Sequence, residues 1–340
     1  MKDRSVALVT GITGFVGSHL AEYLIENTDW EIVGLSRWRS PLDNLESLVS
    51  RIERGDRIRL VYGDLRDSVS LNRAIESSRP DFVFHLAAQS YPLTSFSAPI
   101  ETLDTNILGT QRLLEAIRCH TPNAVVHVCS SSEVFGRVPK ELVPIKESTS
   151  FHPASPYAIS KAGTDLIGRF FAEAYKMKIV TTRMFTHTGP RRGDVFAESS
   201  FAKQIALIEN EYIEPVIKVG NLDSLRTFAD VRDAVRAYFL LVTKDPTPGE
   251  SYNIGGSHTC TIGEMLDFLI SMSTRRSEIK VEVDPSRLRP IDADLQIPDT
   301  SKFMAHTGWK PEIRFEQTMT DLLAFWRMKV HNRGFSFLSR

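Results

Sequence analysis

The chain has 340 residues, of which 42% are hydrophobic and 24% are charged, and its formal net charge is -1. This composition is typical of a globular protein with one large domain or two modest ones. A chain so close to neutral carries no basic excess for nucleic acid or anionic membranes, and no apolar stretch approaches the roughly 18 residues of a membrane helix. We therefore expect neither kind of partner.

Three cysteines, Cys119, Cys129 and Cys260, lie far apart and lack the spacing of metal ligands. A sparse, odd number of cysteines is typical of a reduced compartment. A glycine-rich loop follows within about ten residues of the N-terminus, which argues against a signal peptide. We expect a cytoplasmic protein without a bound metal.

Strand and helix patterns alternate up to about residue 185. Short apolar runs predict buried parallel strands, and helical patterns lie between them. This alternation predicts an α/β fold, a Rossmann-type doubly wound parallel sheet. The strands are predicted at 6–9, 31–35, 58–62, 82–86, 124–128 and 179–185, and the helices at 17–27, 71–77, 106–119 and 157–175.

The pattern loosens after His187. A loop rich in Pro, Gly and Arg at 189–193 precedes a predicted helix at 201–209, a return strand at 251–254 and a loop-like stretch at 285–298. We predict a smaller, discontinuous C-terminal lobe that binds substrate. Residues 1–186 plus about 223–256 would form the Rossmann domain, and about 187–222 plus 257–340 the lobe.

Glycines at positions 11, 14 and 17 follow the first strand and open the first helix. Glycine allows a tight turn and a close backbone approach to a pyrophosphate at a helix N-terminus. The alternative is an ordinary β–α turn. After the second strand an NAD site usually has an acidic residue, whereas this chain has Ser36-Arg37-Trp38-Arg39. Arginine suits a 2′-phosphate, so the sequence favours NADP, unless both arginines are merely solvated.

Tyr157 and Lys161 are spaced i, i+4 on a predicted helix, with Ser155 as N-cap and Pro156 in the first turn. We expect a nearby ammonium and a nicotinamide cation to lower the pKa of the tyrosine, which would make it a usable base. Taken alone, such a pair is more often a surface pair. In a chain that also has a dinucleotide-binding loop, the Tyr/Lys pair indicates redox chemistry on a carbinol or ketone.

Ser131 and Glu133 follow the fifth predicted strand and are two residues apart. In an extended segment they would share a face at the carboxyl end of the strand, where such sheets bind ligands. A carboxylate beside the serine suggests an additional proton transfer. The alternative is that Glu133 caps the following loop.

Several longer motifs occur in a consistent order along the chain, at 87–90, 220–226, 288–292 and 307–311. With the glycine loop and the Tyr/Lys pair, they resemble the extended short-chain dehydrogenase/reductase family. The closer resemblance is to its sugar-nucleotide branch, which contains GDP-mannose 4,6-dehydratases and GDP-4-keto-6-deoxymannose reductases. Residues 190–193 resemble the dehydratases and 201–204 the reductases. Thr186 and Ser200 depart from the branch, which has asparagine and, in dehydratases, lysine there.

The resemblance implies three sets of site residues: catalytic, cofactor-binding and substrate-binding. It implies catalytic roles for Ser131, Glu133, Tyr157 and Lys161. It implies cofactor contacts at Gly11, Thr13, Gly14, Phe15, Val16, Gly17, Arg37, Asp64, Leu65, Leu86, Ala87, Ala88, Tyr157 and Lys161. It implies substrate contacts at Gln89, Ser90, Thr186, Ser200, Lys203, Arg226, Arg289 and Asp292.

The implied activity is an NADP-dependent 4,6-dehydratase acting on GDP-mannose or a GDP-heptose. The alternatives are an NADPH-dependent 4-ketoreductase and a non-catalytic cofactor-sensing regulator on the same fold. The resemblance also implies a homodimer or homotetramer. No residue decides between a hexose and a heptose.

Overall fold

A computed structural model of the chain describes residues 4–291 and 293–333. These residues form thirteen strands, seven of which the sequence analysis predicts. In chain order the strands are β1 (Val6–Thr10), β2 (Glu31–Ser36), β3 (Ile58–Tyr62), β4 (Phe82–His85), β5 (Val125–Cys129), β6 (Lys178–Met184), β7 (His187–Thr188), β8 (Val216–Val219), β9 (Leu225–Asp230), β10 (Ser251–Ile254), β11 (His258–Thr261), β12 (Lys280–Val283) and β13 (Leu295–Gln296).

The helices connect these strands and are joined by short 3₁₀ turns. Between α5 and α6 the chain forms a π-helical turn, Asp104–Leu108. The helices are α1 (Phe15–Asn27), α2 (Val49–Arg54), α3 (Ser68–Ser78), α4 (Pro92–Ser97), α5 (Pro99–Leu103), α6 (Gly109–His120), α7 (Pro156–Tyr175), α8 (Ala197–Glu209), α9 (Val231–Thr243), α10 (Ile262–Ser271), α11 (Ser301–Thr307) and α12 (Phe315–Arg333).

Seven strands form one sheet in the order β10-β6-β5-β4-β1-β2-β3, and every neighbouring pair is parallel. The chain runs from β1 outward to β3 and then returns to the other side of β1 at β4. Such a reversal opens a crevice at the carboxyl ends of the two central strands, where open α/β sheets bind ligands. The prediction of a doubly wound parallel sheet is confirmed.

Both faces of the sheet are covered by helices, which explains why its central strands are largely apolar. On one face α1 and α9 pack around Leu20, Leu24 and Tyr238, with Trp309 at the edge of the same cluster. On the other face α3, α6 and α7 pack around Leu71, Leu113 and Phe171, among others.

A third apolar cluster joins α8, α10 and α12 to the small sheets. One small sheet has the order β11-β9-β13 with β7 beside β9, and β8 pairs with β12. Isolated short strands gain little by themselves, so the helices must supply most of the buried apolar area here. Within the described ranges, no helix combines the length and apolar character needed to span a bilayer.

Candidate active site

The glycine loop lies between β1 and α1, at the crevice. Gly11 has φ +71°, and a Cβ on Gly17 would lie 2.2 Å from the Gly11 carbonyl oxygen. The Gly14 N–H donates to that same oxygen at 2.9 Å. Gly11, because of its positive φ, and Gly17, because a Cβ there would collide with the loop backbone, therefore both require glycine. The first turn of α1, which begins at Phe15, points free N–H groups into the crevice, a cradle that fits a pyrophosphate.

The loop after β4 is tied to β1 beside the glycine loop. The Thr10 hydroxyl accepts from the N–H groups of Leu86 and Ala87 at 3.1 and 3.0 Å and contacts Nδ1 of His85 at 3.0 Å. Burial lowers the pKa of His85 to about 3, so the ring is neutral at pH 7. A Cβ on Gly11 would lie 2.9 Å from the Ala87 Cα. The predicted cofactor positions Leu86, Ala87 and Ala88 thus lie along one wall of the crevice.

A groove of about 520 Å³ follows the carboxyl ends of β2 and β3. Arg37, Arg39 and Arg66 line it, with Asp64 among the other lining residues. Burial would raise the pKa of the Asp64 carboxyl, but hydrogen bonds from Arg66 and the charge of Arg37 leave it below its usual value. Arg66 was not among the predicted residues. The one sequence signal that could have identified Arg66 is its position two residues after Asp64, a predicted cofactor contact. Leu65, another predicted position, is buried.

The predicted catalytic residues meet at the ends of β5 and α7. The Ser131 hydroxyl accepts from the Glu133 N–H at 3.2 Å and is hydrogen-bonded to the Tyr157 hydroxyl. The Lys161 ammonium donates to the Cys129 carbonyl at 2.7 Å. Ser155 caps α7 as expected, accepting from the Ala158 N–H at 3.0 Å.

Burial sets the protonation of the Tyr/Lys pair. It raises the pKa of Tyr157 well above its ordinary value, with Cys129 and Glu133 acting in the same direction. It lowers the pKa of Lys161. The expectation that an ammonium and a nicotinamide cation together lower the pKa of Tyr157 stays a prediction. In this structure burial outweighs the charges near the phenol, and the Lys161 ammonium is directed at a carbonyl. The hydrogen bond from Ser131 and the charge of Arg192 act the other way but do not prevail.

Arg192 is a site residue that the sequence reasoning did not assign. Its guanidinium lies 3.5 Å from the Phe196 ring centroid and 3.2 Å from the Glu198 carboxylate. The preceding Arg191 binds both carboxylate oxygens of Glu22 at 2.8 and 2.6 Å. The 189–193 loop is therefore held against α1, and it presents a buried positive charge toward Tyr157.

The predicted substrate positions come from several separate segments of the chain. Arg289 lies 3.7 Å from the Glu133 carboxylate. Ser200 accepts from Arg287 at 2.9 Å, and Lys203 pairs with Asp194 at 2.7 Å. Arg287 and Asp194 were not predicted.

Five other positions complete this set. Arg226 lies in β9, paired with Cys260 and Gln296 of the flanking strands. The Gln89 amide donates to the Thr102 hydroxyl at 3.1 Å, and Ser90 is exposed. The Thr186 carbonyl accepts from the Ala229 N–H at 2.9 Å. Asp292 lies outside the described residues.

Comparison with known proteins finds both a matching family and individual relatives. Residues 8–322 match the family model described as GDP-mannose 4,6 dehydratase. A GDP-mannose 4,6-dehydratase of Vibrio cholerae serotype O1 is 33% identical, with 95% of this chain and 93% of the relative covered. A GDP-6-deoxy-D-mannose reductase of Pseudomonas aeruginosa is 30% identical over 95% of this chain and 97% of the relative.

Two solved structures bear on the cofactor. RMD from Pseudomonas aeruginosa, complexed with NADPH, has a TM-score of 0.80 and 29% identity, covering 96% of this chain and 100% of that one. DesIV, a dTDP-glucose 4,6-dehydratase from Streptomyces venezuelae with NAD and TYD bound, has a TM-score of 0.81 and 26% identity, covering 97% and 98%. Both nicotinamide cofactors therefore occur on this fold.

Proposed function

Because the chain belongs to the GDP-mannose 4,6-dehydratase family, we propose that it is a sugar-nucleotide 4,6-dehydratase that converts GDP-mannose to its 4-keto-6-deoxy derivative. The observation that carries this proposal is the position of Glu133 beside Ser131 and Tyr157. A simple ketone reduction needs a proton donor at the carbonyl oxygen. A 1,2-elimination also needs a base for a C–H proton, and Glu133 is the carboxylate available for it.

We propose NADP as the cofactor. The glycine cradle would hold its pyrophosphate, and Arg37 with its neighbours Arg39 and Arg66 would hold a 2′-phosphate in the groove. Arginine binds phosphate through two parallel charge-assisted hydrogen bonds, which favours this assignment. When bound, the nicotinamide supplies hydride acceptance and return, so no reductant is consumed overall.

The chain's own residues would divide the proton transfers between two sites. Tyr157 takes the proton of the C4 hydroxyl, while Ser131 holds that oxygen. The resulting 4-ketone acidifies the neighbouring C5–H. Glu133 removes the C5 proton and passes a proton to the C6 hydroxyl, which leaves as water. Glu133 would then take a proton from solvent and deliver it to C5 as the hydride returns to C6. Lys161 would anchor the nicotinamide ribose, since its position one turn after Tyr157 places it at the same end of α7.

We assign the facing lobe to the nucleotide. Arg226 and Arg289 would bind the diphosphate, because arginine suits its geometry. Ser200, Lys203 and Arg287 would bind the nucleobase, and the hydrogen bond from Arg287 to Ser200 supports this assignment because it orients the guanidinium. Gln89, Ser90 and Thr186 would face the sugar. A homodimer or homotetramer and a cytoplasmic location stay predictions, and so does the division between hexose and heptose substrates.

The second candidate function is the NADPH-dependent 4-ketoreductase, which the reductase relative favours. Stoichiometry separates the two. The test is to incubate the protein with GDP-mannose and catalytic NADP, without added reductant. The proposal expects a product lighter by one water. If nothing forms, and NADPH is oxidised when a GDP-4-keto-6-deoxy sugar is added, the reductase assignment replaces it.

A further inference from the structure

An ion pair joins the facing lobe to the proposed general base. The Arg289 guanidinium lies 3.7 Å from the Glu133 carboxylate, too far for a hydrogen bond. The side chains are 26% and 18% exposed. A pair that is partly solvated and lacks a hydrogen bond is held weakly, so either partner can be drawn away by a better one.

The other charged groups around Glu133 do not replace Arg289. Tyr157, on α7, is close enough for the two to repel in their charged forms, and burial keeps the tyrosine neutral. Lys161, on the same helix, donates to the Cys129 carbonyl at 2.7 Å. Arg192, from the loop before α8, pairs with Glu198 at 3.2 Å. Arg289 is therefore the cation that faces the Glu133 carboxylate among the described residues.

Arg289 reaches Glu133 from the side of the lobe assigned to the nucleotide. Two residues before it, Arg287 donates to Ser200 at 2.9 Å. The Arg287 carbonyl oxygen would lie 2.9 Å from a Cβ on Gly220, so the segment packs directly on the 219–221 loop. One short stretch of chain thus connects the proposed nucleotide contacts with Glu133, the proposed general base.

We infer that Arg289 exchanges partners when substrate binds: it pairs with Glu133 in the ligand-free protein and transfers to the diphosphate of the nucleotide sugar. The inference rests on the proposed function of this site. A diphosphate offers more negative charge than one carboxylate and accepts the guanidinium fork in parallel hydrogen bonds. The exchange therefore separates Glu133 from the guanidinium once the nucleotide is seated.

Calorimetric titration with GDP, which carries the diphosphate and undergoes no turnover, tests the exchange. In Glu133→Gln the guanidinium no longer has a competing carboxylate, so GDP should bind about three- to tenfold more tightly than to wild type. Arg289→Gln should weaken GDP binding. In the double variant, Glu133→Gln should add less than a twofold change to Arg289→Gln. Glu141→Gln, which removes the same charge from the exposed turn Lys140–Leu142, is the matched control and should leave the affinity unchanged.

Two results overturn the exchange. One is a Glu133→Gln variant that binds GDP no more tightly than wild type. The other is a gain that persists in the Arg289→Gln background, because Glu133 would then repel the diphosphate directly. Far-UV circular dichroism checks each variant for folding, and Arg289→Met supplies the same comparison if Arg289→Gln does not fold.

Assays of GDP-mannose conversion distinguish a failure of the proposed function from a failure of the exchange. If the coupling is absent in a protein that dehydrates GDP-mannose, only the exchange fails. If the coupling is present and GDP-mannose is not converted, the exchange stands and the dehydratase assignment fails. If wild type binds UDP and not GDP, the assigned nucleobase is wrong, and the same set of variants is titrated with UDP.

Discussion

At the scale of single residues, burial favours the neutral forms of both members of the Tyr157/Lys161 pair. The pKa of the phenol is raised and that of the ammonium is lowered. A neutral phenol is a poor base, so its activation at pH 7 requires positive charge that arrives with bound ligands or comes from Arg192. The buried arginine is the protein's own contribution, since its charge already acts to lower the pKa of Tyr157.

The residue with the sharpest expected effect is Glu133. If it removes the C5 proton, Glu133→Gln should retain cofactor binding and lose elimination by about 10²–10⁴-fold, the usual contribution of a positioned general base. Single-turnover formation of the 4-keto-6-deoxy product measures this, with Glu141→Gln as the charge-matched control. Turnover within a factor of about three of wild type, in a folded variant, would give Glu133 a structural role.

Arg37 is expected to decide the cofactor. A charge-assisted contact to a 2′-phosphate contributes on the order of 1.5–3 kcal/mol. Wild type should therefore bind NADP at least about tenfold more tightly than NAD, and Arg37→Gln should remove most of that difference without weakening NAD. Calorimetry with both cofactors measures it, and the exposed Arg59→Gln in β3 is the control. Equal or tighter binding of NAD by wild type contradicts the assignment.

At the scale of elements, the central strands could be predicted within one or two residues, because a strand buried on both faces is a continuous apolar run. The predicted 251–254 strand coincides with β10, and the predicted 58–62 strand with β3. The π-helical turn before α6 and the short strands β7, β12 and β13 could not be predicted. Such elements depend on partners distant in sequence, as when β13 pairs with β9. The division into two lobes stays a prediction.

The same limit applies to the candidate site. The local spacing of Ser131 and Glu133 was sufficient to place both at the end of β5. No local pattern could bring Arg289 to Glu133, because the contact joins segments about 156 positions apart and depends on the tertiary packing of the chain.

Two helix-start glycines give a matched test of the cofactor loop. Gly17, in α1, leaves no room for a Cβ, whereas a Cβ on Gly263, in the first turn of α10, would have its nearest contact at 3.5 Å. Gly17→Ala should lower stability and weaken NADP binding by at least about tenfold, since the loop must shift. Gly263→Ala should be neutral or stabilising by up to about 1 kcal/mol. Thermal unfolding and NADP titration of both variants measure this. Unchanged NADP affinity in Gly17→Ala contradicts the close-approach argument.

At the scale of the whole molecule, the sheet encloses two histidines, His85 and His127, whose pKa burial lowers to about 3. A histidine with a depressed folded pKa contributes full stability above its unfolded pKa of about 6.5 and loses it as the pH falls toward the folded value. Between pH 7 and pH 5 each should cost about 2 kcal/mol of unfolding free energy. Urea titrations at the two pH values measure the loss.

His127→Leu serves as the control for this prediction. It removes the hydrogen bond between His127 and Thr182, so stability falls at both pH values. The loss between pH 7 and pH 5 should nevertheless shrink by about a third, because His187 also has a pKa lowered to about 3 by burial and His127 is one of three such groups. An undiminished loss would mean that other groups control the acid response.

The most direct test of the dehydratase assignment is isotopic. The protein is supplied with GDP-mannose in deuterated water, without added NADPH, and the product is examined by NMR. The account predicts a 4-keto-6-deoxy sugar with solvent deuterium at C5, because Glu133 exchanges its proton with solvent, and with the original C4 hydrogen at C6. Recovery of unchanged GDP-mannose, or a product that forms only when NADPH is consumed, would contradict it.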